Sequence, residues 1–218
     1  MIKAGRVSVD GAPAHLGQKI DPVEAVVLVD GIRLPLNPAF VYILMNKQVG
    51  VVSTAEDTHG RPTVVDVVGA ETRIYPVGRL DLDSEGLLIL TNDGTLTEHL
   101  THPRYEVSKT YTVLVHGTPD RATLRTLASG VVLDDGPAAA ESVRNLDTHG
   151  DRTLVEIVMA EGRKREVRRM FEAVGHDVER LVRTAIGPLR DRDLKPGEWR
   201  HLTIDEVRSL YGAGVSGD

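Results

Sequence analysis

The sequence contains no cysteine among its 218 residues and has no long apolar run. Without cysteine there can be no disulfide, no thiol nucleophile and no cysteine-based zinc or iron–sulfur site. A membrane-spanning helix needs roughly 18 consecutive apolar residues, which the chain never provides. The N-terminal stretch MIKAGRVSVDG also lacks the apolar core of a signal peptide. These absences predict a cytoplasmic protein that does not contact membranes.

The sequence also lacks an excess of basic residues, since 32 acidic residues outnumber 26 Lys and Arg and the net charge is −6. Proteins that bind nucleic acid are typically basic, so the overall charge argues mildly against such a partner. Net charge conceals local clusters, however. The segment EGRKREVRRM, residues 161–170, carries five basic residues against two acidic ones. A cationic stripe of this kind can bind phosphate on a protein that is acidic elsewhere.

The pattern of apolar segments indicates an α+β fold. Continuous apolar runs at 40–46 and 87–91 have the length of buried strands, and the alternation over 108–117 is typical of another strand. Helices are predicted over 119–130 and over 164–175, where apolar residues recur at helical spacing before a closing glycine. Strands outnumber helices and do not alternate with them regularly, which favours α+β over a βαβ repeat.

The stretch GRLDLDSEG, residues 78–86, places three carboxylates and one arginine directly before the apolar run LLIL. A lone aspartate at such a place most often caps a turn. Asp81 differs because the following strand would hold it rigidly beside the core, which suits a group that does chemistry. Arg79, two residues earlier, would help to keep the acid ionised. Asp81 is therefore a candidate catalytic residue.

A metal site at the same stretch is the competing interpretation. Asp83 and Glu85 could join Asp81 as ligands of a hard cation, as in a metal-dependent hydrolase, since a D-x-D-x-[DE] spacing occurs in calcium loops. The glycine and the distant final acid of such a loop are missing here. We therefore predict that no metal binds and that Asp83 and Glu85 are solvent-facing turn residues.

The basic segment has an ordinary interpretation as a solvated helix face. Helical spacing turns Val167 inward, so that Arg165, Arg168 and Arg169 cannot all point in one direction. Arg168, next to Val167, is expected near the core boundary, where it could meet a carboxylate. Tyr111, in the strand SKTYTVLV, is either a half-buried packing aromatic or an aromatic face for a base.

Taken together, these stretches resemble one family. GRLDLDSEGLLILTNDG is similar to the signature of the RsuA/RluB-type pseudouridine synthases, which modify ribosomal RNA. The similarity continues, in the family's order and spacing, through HPRYEVSKTYTV, EGRKREVRRMF and LVRTAIGPL. MNKQVGVVST resembles a family stretch that usually reads N-K-P-x-G, with Gln48 in place of the proline. The resemblance covers the chain from residue 37 to residue 211.

The resemblance implies the pseudouridine synthase fold, in which helices flank a mixed, largely antiparallel central sheet. The catalytic domain is expected at 37–212, and a flexible tail at 213–218. Residues 1–36 resemble the second half of the family's small α-L RNA-binding domain and a linker. The helix pair that normally precedes this half is reduced to IKAG, so either this version of the domain is truncated or the start site is misplaced. The protein is expected to be a monomer.

The resemblance also implies roles for individual residues. Asp81 matches the essential aspartate, Arg168 the basic residue that pairs with it, and Tyr111 the tyrosine that contacts the target base. Lys109 falls at a commonly basic position. The residues expected to contact RNA are Arg79, Lys109, Arg163, Lys164, Arg165, Arg169, Lys3 and Arg6.

The implied reaction breaks the C1′–N1 bond of a uridine, turns the uracil and joins C1′ to C5. It is an isomerisation and needs no cofactor, in keeping with a sequence that has no Walker-type loop and no dinucleotide fingerprint. An ionised Asp81 could attack the sugar or base covalently, or could remove a sugar proton so that uracil leaves, and both routes stay open here.

The predicted partner is ribosomal RNA, with 23S-type large-subunit RNA or its precursor particle favoured over the small subunit. The alternative is a non-catalytic RNA-binding or ribosome-assembly protein that keeps this fold.

Overall fold

A computed structural model describes residues 1–214 of the chain. The strands are β1 (Val7–Val9), β2 (Ala12–Pro13), β3 (Val27–Val29), β4 (Ile32–Arg33), β5 (Tyr42–Lys47), β6 (Tyr75–Pro76), β7 (Glu85–Thr91), β8 (Lys109–His116), β9 (Val131–Leu133), β10 (Gly136–Ala138), β11 (Ser142–His149), β12 (Arg152–Met159), β13 (Val178–Ile186), β14 (Leu189–Arg190) and β15 (Trp199–His201). The α-helices are α1 (Val64–Val68), α2 (Gly94–Thr101), α3 (Arg121–Ser129), α4 (Glu166–Ala173) and α5 (Ile204–Tyr211).

The central sheet has, within residues 1–214, the strand order β11-β12-β8-β13-β7-β5-β15, with β14 beside β13 and β6 beside β7. β7 and β13 run parallel, and the other neighbours in this sheet run antiparallel. The predicted α+β class with a mixed, largely antiparallel sheet is confirmed. Within the same residues, no helix combines the length and the apolar character needed to cross a bilayer.

The two continuous apolar runs form β5 and β7, which are buried on both faces as predicted. Successive side chains of a strand point to opposite faces, so each strand contributes to two cores. One core contains Ile43, Met45, Leu88, Leu90 and, from α4, Met170 and Phe171. The other contains Leu44, Leu87, Ile89 and apolar residues of α2 and α5. Both faces of this part of the sheet are covered, which explains why the runs have no polar alternation.

The helices at 119–130 and 164–175 are confirmed as α3 and α4. Asp93, between β7 and α2, is the N-cap of α2. Its carboxylate accepts hydrogen bonds from the N–H groups of Thr95 and Leu96 and from the hydroxyls of Tyr42 and Tyr211. One buried aspartate thus joins β5, α2 and α5.

β7 and β13 approach most closely at Gly86. A Cβ atom placed there would lie 2.2 Å from the carbonyl oxygen and 2.5 Å from the amide nitrogen of Arg183, and the φ of Gly86 is +110°. The parallel register pairs Glu85 with Val182 and Gly86 with Arg183. Only glycine permits this approach without a shift of backbone. Gly86 therefore sets the position of the chain immediately after the loop that carries Asp81.

We expect Gly86→Ala to lower the free energy of unfolding by at least about 4 kcal/mol, because backbone atoms block the new methyl group. Urea unfolding followed by circular dichroism would measure the change. Gly50→Ala is the matched control, since its φ is +85° but nothing lies within 4 Å of its Cβ position. The control should show only the strain of positive φ, about 1–2 kcal/mol. Equal losses in the two variants would rule out the close approach as the cause.

The N-terminal residues form a separate four-stranded sheet with the order β2-β1-β3-β4. Asp10 and Asp30 have φ values of 49° and 54° at its two Asp-Gly turns. Ile32 of β4 packs against the second core of the central sheet. The sheet lies within the unit predicted at 1–36, and that domain boundary stays a prediction.

The C-terminal end of the described chain is packed. Ala213 is buried, and its carbonyl oxygen accepts a hydrogen bond of 2.8 Å from Nε2 of His99. A Cβ atom on Gly214 would lie 1.7 Å from the carbonyl oxygen of Tyr105. Residues 213 and 214 therefore belong to the folded structure rather than to the predicted tail, whose residues 215–218 lie outside the described part.

Candidate active site

A cavity of about 230 Å³ lies between the loop that precedes β7, strand β8 and the start of α4. Asp81, Ser84, Tyr111, Val167 and Leu181 line it. Asp81 is half-buried and Tyr111 is 9% exposed. The structure thus brings Asp81 and Tyr111 to one cavity, although 30 positions separate them in the sequence. An acid and an aromatic ring that line the same partly enclosed space can act on a planar base that is held there.

The loop that carries Asp81 is held by hydrogen bonds at both ends. The amide of Leu80 donates to Oγ of Ser53 at 3.1 Å, and that hydroxyl donates to the carbonyl of Leu80 at 2.9 Å. The amide of Ser84 donates to the carbonyl of Asp81 at 3.0 Å. Since Leu80 and Ser84 are buried, this loop has little freedom to move and Asp81 is held in a defined place.

Lys47 lies beneath the same loop, and the sequence did not mark it as a functional residue. Its side chain is 0% exposed, and its ammonium donates to the carbonyls of Gln48, Asp81 and Ser84 at 3.1, 3.1 and 2.7 Å. Burial lowers the pKa of Lys47 to about 8 against the opposing effect of nearby carboxylates. A lysine at the end of an apolar strand usually extends into solvent. The only signal for its burial was its place in the family stretch MNKQVG.

Arg168 contacts a different acid from the one predicted. Its Nη2 donates to the carbonyl of Asp83 at 2.9 Å, its Nη1 to the carbonyl of Val178 at 3.1 Å, and its Nε lies 3.5 Å from Oδ2 of Asp83. The predicted pairing of Arg168 with Asp81 is therefore corrected to Asp83. Burial lowers the pKa of Arg168, and the charges of Asp83 and of Asp81 oppose that effect, so Asp81 lies within electrostatic range. Arg168 stabilises the loop at its far end.

Asp83 and Glu85 are both ion-paired. Nη1 of Arg165 donates to the two carboxylate oxygens of Asp83 at 3.1 and 2.9 Å. Arg180 donates to Glu85 at 3.0 and 2.8 Å. Burial would raise the pKa of Asp83, but the two arginines outweigh it and the pKa is lowered. Glu85 begins β7 and is half-buried, so its predicted place in a solvent-facing turn is wrong. These pairs occupy the carboxylates that the hydrolase alternative would need.

Two arginines of the basic segment connect α4 to the hairpin of β9 and β10. Arg163 pairs with Glu161, Glu166 and Asp135 and donates to three backbone carbonyls of that hairpin. Arg169 pairs with Asp134 and Asp135. Together with Arg165, these residues satisfy their charge within the protein. The prediction that they bind RNA is therefore weakened, since a phosphate would have to compete with existing partners.

Other predicted RNA contacts are better placed. Arg79 and Lys164 are exposed, line the cavity and form no ion pair with another residue of the described range 1–214. Lys109 is half-buried deeper in the protein. In the N-terminal sheet, Lys3 is exposed, whereas Arg6 forms a two-point contact with Asp30 at 2.7 and 2.5 Å. The cations with room for a phosphate near Asp81 are thus Arg79 and Lys164.

Comparisons with known proteins agree with this geometry. The family model described as RNA pseudouridylate synthase matches residues 41–173. The chain is 45% identical over 216 residues to an uncharacterized RNA pseudouridine synthase of Mycobacterium leprae (strain TN), covering 97% of this chain and 84% of that protein. It is 41% identical over 214 residues to ribosomal large subunit pseudouridine synthase B of Bacillus subtilis (strain 168), covering 96% and 87%.

A solved structure gives the same result. The crystal structure of a pseudouridylate synthase superposes on this chain with a TM-score of 0.69 at 28% identity, covering 96% of this chain and 90% of the other. The region matched by the family model, residues 41–173, runs from β5 to α4 and includes Asp81 and Tyr111. The chain therefore belongs to the RNA pseudouridine synthase family and is an isomerase, as the motifs predicted.

Proposed function

We propose that this protein converts a specific uridine of large-subunit ribosomal RNA to pseudouridine, with Asp81 as the essential acid and without a cofactor. The observation that carries the proposal is that Asp81, which is half-buried, and Tyr111 line one cavity. The large-subunit substrate is supported by the name of the Bacillus subtilis relative. Ribosomal RNA as the substrate would place the activity in the bacterial cytoplasm.

Asp81 supplies the reacting carboxylate in this proposal. It attacks the sugar or base, or it removes a sugar proton, and in each case it must come within about 3 Å of its target. The hydrogen bonds that Ser53 and Lys47 donate to backbone carbonyls hold its loop in advance of binding, so little reorganisation remains for the reaction. Arg168 acts through the backbone of Asp83 as a positioning residue rather than by pairing with the Asp81 carboxylate.

The target uridine must leave its stack to reach the cavity, which costs a few kcal/mol and least for a loop or bulged base. Phosphate contacts from Arg79 and Lys164 at the mouth of the cavity would offset this cost. Val167 and Leu181 provide apolar walls that exclude water once the base has entered. Because the net charge of the protein is −6, RNA binding would rely on these local cations.

Tyr111 has two possible roles, which two substitutions separate. Its hydroxyl has no hydrogen-bond partner among residues 1–214, so we assign the main role to the ring, which stacks on the uracil. Tyr111→Phe should therefore keep turnover within about tenfold of wild type, whereas Tyr111→Ala should lose the 1–3 kcal/mol that a stacked base contributes. Single-turnover assays on an rRNA fragment would measure both. A loss of about a hundredfold or more in Tyr111→Phe would instead assign the hydroxyl to proton removal from C5.

The substrate is tested by mapping pseudouridines in the rRNA of a strain that lacks the gene. We expect one missing site in large-subunit RNA, restored by the wild-type gene and not by Asp81→Asn. A missing site in small-subunit RNA would correct the substrate. No missing site, with RNA affinity retained by the purified protein, would favour the non-catalytic RNA-binding alternative.

A further inference from the structure

A second cavity, of about 250 Å³, lies beside the first. Tyr111, Arg79 and the 161–163 segment line both cavities. The second extends away from Asp81, toward the end of α2, and its apolar lining comes from Val77, Ile89, Leu100 and Ile186. The two cavities have nearly equal volumes, so if the cavity on the Asp81 side can hold a base, the second cavity is large enough to hold another.

Two cations, Lys109 and Arg183, face this second cavity and form no ion pair among residues 1–214, whereas the Glu161 carboxylate that also lines it is paired with Arg163. Lys109 and Tyr111 lie two positions apart on β8 and so share one face, and Arg183 is the neighbour of Tyr111 on β13. Arg183 is 5% exposed, its Nε donates to the carbonyl of Leu87 at 2.7 Å, and its buried Nη2 has no acceptor among residues 1–214. Lys109 forms no ion pair within the same residues. Burial, and then the charge of Arg183, lower the pKa of Lys109 to about 8 against the opposing charge of Glu141.

Such an arrangement is unfavourable in the free protein. Buried donors without acceptors and neighbouring like charges both cost free energy, which a ligand with acceptor atoms would recover. An apolar lining with a few cationic donors at one side suits a flat heterocycle with keto or ring-nitrogen acceptors. Nucleobases have this chemistry, and their faces stack on aromatic rings such as that of Tyr111.

We infer that this second cavity binds the base of another unstacked nucleotide of the RNA substrate, close in the strand to the target uridine. The inference rests on the proposed function, since the target uridine is taken to occupy the Asp81 side. Tyr111 lines both spaces, so one aromatic ring would separate the two bases. Binding of this second base would make the enzyme specific for RNA with a suitable nucleotide or bulge next to the target uridine. Asp81 and Tyr111 by themselves would not provide this specificity.

Thr101 offers a way to fill the cavity without touching the first one. It is exposed, lies at the end of α2, and lines only the second of the two cavities. We expect Thr101→Trp to lower kcat/KM on an rRNA fragment by at least about tenfold, as the loss of one stacked base would. Arg125→Trp, on the exposed part of α3 and outside both cavities, is the control for a new surface tryptophan and should match wild type.

Fragments with a single abasic position near the target identify the captured nucleotide. One position should lower kcat/KM of the wild-type enzyme by at least about tenfold. The same substitution should have little further effect in Thr101→Trp, because the cavity is already closed. If circular dichroism shows that Thr101→Trp does not fold, Lys109→Met replaces it. In that variant too, the abasic substitution should have little further effect on kcat/KM.

The outcomes separate this inference from the proposed function. If wild-type protein forms no pseudouridine in any rRNA fragment, the proposed function fails first. If wild type is active, either of two results overturns the inference. In the first, Thr101→Trp is as active as Arg125→Trp. In the second, each abasic fragment lowers kcat/KM by the same factor in wild type as in Thr101→Trp or Lys109→Met.

Discussion

Asp81→Asn is expected to lower pseudouridine formation by at least about a thousandfold, because an amide can neither attack the nucleotide nor accept its proton. The side chain keeps its size, and the hydrogen bonds that hold the loop use backbone atoms of Asp81, so the fold should be unchanged. Tritium release from RNA that carries 5-³H-uridine would measure the rate. RNA affinity, compared at one fixed salt concentration, should stay within about twofold because the phosphate contacts remain.

Asp83→Asn is the control for the loss of a negative charge from the same loop. The Asp83 carboxylate is paired with Arg165 and Arg168, and the backbone contact from Arg168 would persist in the variant. We expect a loss of no more than about tenfold, since an exposed ion pair contributes about 1 kcal/mol or less. If Asp83→Asn were inactive and Asp81→Asn active, the assignment of the essential acid would be wrong.

Lys47→Met is expected to lower both the free energy of unfolding and the rate of turnover. The variant leaves the carbonyls of Gln48 and Ser84 without the ammonium donor and removes one of two donors from the carbonyl of Asp81. We expect a loss of about 2–4 kcal/mol in the free energy of unfolding, because buried acceptors lose their partners. We also expect kcat to fall by about ten- to a hundredfold, since a displacement near 1 Å is enough for such a loss.

The two effects can be read separately. Stability comes from urea unfolding, and kcat and KM from assays at a temperature where the variant is folded. Lys195→Met, at an exposed lysine, controls for the change of residue type and should leave both quantities unchanged. A rise in KM with kcat unchanged would show that Lys47 supports RNA binding rather than the position of Asp81, and would contradict the role assigned here.

The pH dependence follows from the lowered pKa of Lys47. Its folded pKa is about 8 and its ordinary value is 10.5, so between these values the unfolded chain binds more protons. The contribution of Lys47 to the unfolding free energy therefore rises with pH across this window. In the same window the positive charge beneath Asp81 is lost, so wild-type kcat should fall above about pH 8. This fall of kcat above pH 8 should be smaller in Lys47→Met. The pKa of Lys109 is also about 8, so any fall that remains in Lys47→Met would come from another group such as Lys109.

The amino-acid sequence by itself determined the elements whose signals are local. Apolar runs located β5 and β7, helical spacing located α4, and the long motif from residue 78 singled out Asp81 as the candidate acid. These features depend on periodicity and on the order of neighbouring residues, which a linear chain displays directly. The prediction of the α+β class was correct for the same reason.

Tertiary structure decided which charges meet. Arg165 and Asp83 are 82 positions apart, Arg169 and Asp135 are 34 apart, and no local pattern indicated that they would pair. The basic segment therefore suggested a phosphate-binding stripe, whereas much of it holds α4 to its neighbours. Lys47 lies beneath the Asp81 loop because β5 pairs with β7, which places Lys47 opposite Gly86 at the end of that loop. The role of a charged side chain depends on the donors and acceptors that folding brings within about 3 Å of it, and sequence distance carries little information about them.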